Sequence, residues 1–130
     1  MAGKIVVSTL NNDTGVLATQ NGMTGIAKAW VNFNGSTAAI NSGFNVGSIT
    51  KNATGNYTLN FTTAMPNANY SVALGQVGYA TNNYSTFLFI RPSSVLTPAL
   101  KTTTQLQIAY VDAAGNGYDA IDINVSIFSS

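Results

Sequence analysis

The chain has 130 residues, 45% hydrophobic and only 7% charged, with a net charge of +1. That length suits one domain with its own core, while the low charge leaves solubility to amides and hydroxyls and provides little repulsion between copies. Lys4, Lys28, Lys51, Arg91 and Lys101 are scattered and form no basic patch for nucleic acid, and the longest apolar run, 87–90, falls far short of a membrane span.

In chain order, residues 1–25 read as an N-terminal attachment arm. Turn clusters at 11–15 and 20–25 separate short apolar pieces, of which Ile5, Val6, Val7, Val16 and Leu17 are the candidate anchors. The first eight residues lack a signal-peptide core and read as a short strand. Residues 26–130 carry strand signals. Over 26–33, Ala27, Ala29, Val31 and Phe33 share one face, with Lys28, Trp30 and Asn32 on the other. Short strands are expected at 38–40 and 44–46, with a bulge at Gly47 and a turn over 50–56. Tyr57, Leu59 and Phe61 then alternate with polar residues along 56–63, and Met65-Pro66-Asn67-Ala68-Asn69 stops that strand. Further strands are expected at 70–79, 84–91, 103–112 and 118–128.

No window shows helical apolar spacing, and Glu is absent. The pattern predicts an all-β protein, an antiparallel β-sandwich of jelly-roll type with an extended N-terminal arm. Residues 86–90 and 121–128 are apolar on both faces, so each is expected to lie centrally or to be covered by another subunit. Asn-Tyr recurs at 56–57, 69–70 and 83–84. An aromatic platform would explain this, but a turn Asn followed by the first buried Tyr of a strand is the simpler reading.

His, Cys and Glu are all missing, which removes most general bases, nucleophile activators and metal ligands. The acids are Asp13, Asp112, Asp119 and Asp122; the last two, three apart on an expected strand, point to opposite faces and cannot pair. Residues 112–119 echo a calcium loop, with Asp first, Asn fifth and Gly sixth, but Ala114 and Ile123 stand where oxygen ligands belong. A hairpin loop with positive φ at 115–117 is the better reading. No catalytic residue, metal or cofactor is therefore expected. Binding is chemically easier: Tyr79, Asn82, Asn83 and Tyr84 in one loop, and Asp112, Asn116 and Tyr118 in another, combine aromatic faces with hydrogen-bonding groups suited to sugars.

Residues 27–35, AKAWVNFNG, followed by FNVGSIT at 44–50, GNYT at 55–58 and AMPNANY at 64–70, resemble a module of tailed-bacteriophage virion proteins, found C-terminally in tail fibres and related surface fibres. The resemblance covers roughly residues 26 to 75. It implies a β-sandwich assembled as a homotrimer on the virion surface, tail or capsid, with no catalytic residues. No shaft or collagen-like repeat precedes the module, so the arm would attach to other virion proteins. The expected function is a short tail-fibre or head-fibre protein contacting host-surface glycan. The alternatives are a capsid decoration protein, whose loops would be passive, and a carbohydrate-binding module.

Overall fold

A computed structural model describes residues 26–77, 86–90, 92–94, 97–99 and 101–129. Every regular element among them is a strand: β1 (Ala29–Asn34), β2 (Ala39–Phe44), β3 (Val46–Ala53), β4 (Asn56–Phe61), β5 (Ser71–Val77), β6 (Thr86–Ile90), β7 (Pro92–Ser94), β8 (Thr97–Ala99), β9 (Gln105–Asp112) and β10 (Asp122–Phe128). They build two four-stranded antiparallel sheets, in the orders β2-β1-β10-β5 and β3-β4-β9-β6, and a small β7–β8 pair. The expected all-β sandwich is thus the fold. The arm, with Ile5, Val6, Val7, Val16 and Leu17, lies outside the described residues.

Period-two alternation decides which side chains meet between the sheets. One sheet contributes Ala29, Val31 and Phe33 of β1 and Ile123, Val125 and Ile127 of β10; the other contributes Tyr57 and Leu59 of β4 and Leu106, Ile108 and Tyr110 of β9. All are buried, and the Val, Leu, Ile and Phe side chains among them each stabilise the fold by about 1.5–3 kcal/mol. Phe33 meets Tyr57 edge-on at 5.3 Å, and Phe61 meets Tyr70 at 5.9 Å, the geometry favoured by ring quadrupoles. Two of the Asn-Tyr pairs therefore start buried faces rather than platforms; the third, at 83–84, lies outside the described residues. Tyr70 keeps its hydroxyl paired by donating to the carbonyls of Thr102 and Gln105, both at 3.1 Å.

Several boundaries differ from expectation. The piece expected at 38–40 is part of a longer strand, β2, whereas the piece expected at 44–46 is not a strand but spans a corner: Phe44 ends β2, Asn45 turns, and Val46 begins β3. Residues 50–53, expected as a turn, continue β3, because their polar side chains find partners: Asn52 donates across the sheet to the Thr58 hydroxyl of β4 at 2.8 Å, and Lys51 reaches Asp119 in the segment before β10. The register does shift between Val46 and Ser48, placing the bulge at Gly47. Lys28, expected on the outer face with Trp30, is 1% exposed. β10 is central as expected, but among the described strands β6 lies at an edge, so central burial does not account for its apolar run. Its Leu88 and Ile90 pack against the core.

The outer face of the second sheet is an uncharged ladder. Asn60 donates to the Ser48 and Thr50 hydroxyls at 3.0 and 3.1 Å, Gln105 donates to Asn60 at 2.9 Å, and Gln107 donates to Asn56 at 3.0 Å. Cross-strand amide and hydroxyl pairs of this kind do the work that charge pairs do on ordinary sheets.

Candidate functional site

The loop from Asp112 to Tyr118 joins β9 to the segment before β10. It brings Asp112, Asn116 and Tyr118 together, as the sequence predicts. What they contact is each other. Asp112 Oδ1 accepts the N–H groups of Ala114 (2.9 Å) and Asn116 (2.8 Å), and Oδ2 accepts the Asn116 amide (2.9 Å) and the Tyr118 hydroxyl (3.2 Å). The Asn116 side-chain amide, with the backbone N–H groups and Tyr118, holds the Asp112 carboxyl below the usual carboxylate range. Four donors occupy the lone-pair sites of one carboxylate, so the group acts as the internal brace of its loop. Of the three residues expected at positive φ, only Gly115 has it, at 85°. Gly117 is needed for a different reason: a Cβ there would lie 2.1 Å from the Thr54 carbonyl oxygen. Tyr79, Asn82, Asn83 and Tyr84 lie outside the described residues.

Asp119 and Asp122, expected on one strand, are not: the chain bends between them, with Ala120 buried and β10 starting at Asp122. Its side chain closes one end of the sandwich. Asp119 Oδ1 accepts the Tyr57 hydroxyl at 2.7 Å and the Gly55 N–H at 3.0 Å, while Oδ2 pairs with the Lys51 ammonium at 2.6 Å. Lys51 also donates to the Ser36 carbonyl at 3.0 Å. Partial burial pushes this carboxyl up, but the Lys51, Tyr57 and Gly55 hydrogen bonds and the Lys51 charge outweigh it and leave it below its ordinary value. Burial and the Asp119 hydrogen bond raise the Tyr57 phenol far above its ordinary value. Sequence reading missed this brace, because Lys51 and Asp119 are 68 positions apart.

A third cluster was also missed. On the outer face of the first sheet, Trp30 stands directly opposite Phe44, 38% and 42% exposed. In the next row Asn32 donates to Asp122 Oδ1 and to Asn124 Oδ1 (2.8 Å), and accepts from the Asn41 amide at 2.7 Å. Asn124 donates in turn to Asp122 Oδ1 at 2.8 Å. The alternations Trp30-x-Asn32 and Asp122-x-Asn124 hinted at shared faces; the pairing of β1 with β10 that joins them did not show in the sequence.

Among the described residues, no group of three or more His, Cys, Asp or Glu side chains is placed to hold a metal ion. Comparison with protein-family models, characterised proteins and solved structures yields no match to this chain.

Proposed function

We propose that this chain is a non-enzymatic structural protein of a tailed-bacteriophage virion, a short tail-fibre or head-fibre type protein that forms homotrimers and contacts the host surface. The assignment to a virion rests on the resemblance carried by residues 26–75. The structural observation that supports it is the use made of polar groups. Asp112 and Asp119 are engaged as braces, and the outer sheet faces are amide and hydroxyl ladders with little charge. Such a surface neither offers activated acid–base chemistry nor keeps copies of the chain apart.

In this reading the arm attaches to other virion proteins and the sandwich faces outward. Cryo-EM of the particle is the test of placement. Density for the sandwich at a tail or head fibre is the expected result; density lying flat on the capsid shell would assign it to decoration instead, and absence from the particle would overturn the proposal. Light scattering of the purified chain should give the mass of a trimer, and a stable monomer would sink the assembly claim.

A further inference from the structure

The outer face of the first sheet carries a pattern that neither the loops nor the core require. By register its rows run across β2, β1, β10 and β5: Phe44, Trp30, Ser126 and Ala73 in one, then Ser42, Asn32, Asn124 and Gly75 in the next. A large exposed indole thus stands one strand repeat, about 7 Å, from a preformed amide–carboxylate array. On the β5 side the neighbours are Ser126, Ala73 and Gly75, all too short to cover either group; a Cβ at Gly75 would only touch the Asn124 Cβ at 3.7 Å.

We propose that this face binds a neutral hexopyranose, stacked on Trp30 and hydrogen-bonded by Asn32, Asn124 and Asp122. A pyranose presents C–H groups on one face and hydroxyls around its rim. The C–H face is complementary to the negative face of an indole, and vicinal hydroxyls need donors and acceptors side by side. Both amide hydrogens of Asn32 are spent on Asp122 and Asn124, so it offers its oxygen, while Asn41 and Asn124 each use one amide hydrogen and keep the second as a donor. These mutual hydrogen bonds hold the groups in place before a ligand arrives, which lowers the ordering cost of binding. Asp122 provides the negative charge of the cluster, so an acidic sugar is disfavoured by repulsion. The source of the sugar, a host-surface glycan, rests on the virion proposal; the site itself does not.

Trp30 is the single tryptophan of the chain, so its fluorescence reports this face alone. The full chain is titrated with D-glucose, D-galactose, D-mannose and N-acetyl-D-glucosamine, with D-glucuronate as the acidic comparison. At least one neutral sugar should give a saturable change, at about 1 mM for a single ring, with glucuronate at least ~10-fold weaker by charge repulsion. Asn124→Ala, at an exposed position, should weaken that binding about 10-fold while leaving the melting curve intact. Saturation-transfer NMR, which needs no tryptophan, should show the signal lost in Trp30→Ala. No response to any of the four neutral sugars, equal binding of glucuronate, or unchanged binding by both variants overturns the site. Light scattering on the same sample separates the two proposals. A trimer blind to every sugar overturns this inference and leaves the virion reading standing, whereas a monomer that binds sugar supports this one and removes the trimer.

Discussion

Asp119 shows how one carboxylate can hold a sandwich end shut. Replacing it by Ala removes the partner of the Lys51 ammonium, the Tyr57 hydroxyl and the Gly55 N–H together. Leaving partly buried donors unpaired costs about 1–3 kcal/mol each in the worst case, so Asp119→Ala should destabilise by roughly 3 kcal/mol, read from urea denaturation. Tyr57→Phe, which removes one donor and leaves two, should cost about half as much. Gly117 tests close approach rather than charge. A methyl group 2.1 Å from a backbone oxygen cannot be absorbed by a side-chain rotation, so Gly117→Ala should lose about 2–3 kcal/mol. An unchanged denaturation midpoint for that variant would mean the loop can move away from Thr54.

At the scale of elements, the passage from β2 to β3 is the tightest described step between the two sheets, made across one residue. Asn45 makes it alone, at φ 57°. Its side-chain amide donates to the carbonyls of Lys28 and Thr63, both at 3.1 Å, and its side-chain oxygen accepts the Thr63 N–H at 2.7 Å. Asn tolerates the left-handed region and clamps both sheets from it. Asn45→Ala forfeits the clamp and adds backbone strain, for a loss of about 2–3 kcal/mol; Asn45→Gly forfeits the clamp only and should be about 1 kcal/mol less harmful. Thermal melts of the two variants check the order. This corner was not legible in the sequence. Phe44-Asn45-Val46 carries strand residues on both sides of the corner, and nothing local says that one residue between them turns positive.

For the whole molecule, the missing residue types make a pH prediction. With no His, Cys or Glu, no side chain has an ordinary pKa between about 5 and 9, so stability should be flat across that window. Below it, Asp112 and Asp119 have folded pKa values depressed beneath the unfolded value. Their contribution is complete above about pH 4 and is lost as pH falls through the folded values. At the alkaline end the sign reverses. Burial pushes Tyr70 up to about 12 and Tyr57 further, so the unfolded chain loses its phenolic protons first, and stability falls as pH rises beyond about 10. Denaturant midpoints from pH 2 to 12 should trace a plateau with two falling edges, and a slope near pH 7 would contradict this account. The topology adds a kinetic expectation. β1 and β10 pair across some 90 positions, so folding should take milliseconds to seconds rather than microseconds.

The alternation of Ala29, Val31 and Phe33 and of Tyr57 and Leu59 was enough by itself to predict an all-β sandwich and this part of its core, whereas 121–128 is apolar on both faces and only packing decided that Ile123, Val125 and Ile127 are the buried ones. Side-chain direction along a strand is a local property with period two. The same locality explains the loop at 112–118, where Asp112 meets partners within six positions. Only the tertiary structure decided that β6 lies at an edge among the described strands, that Asp119 binds Lys51 and Tyr57, and that Trp30 shares a face with Asn124 and Asp122. Each of these depends on which strands are neighbours. Pairing is a long-range choice made by the packing of whole faces, and it leaves no mark on the residues within a single strand.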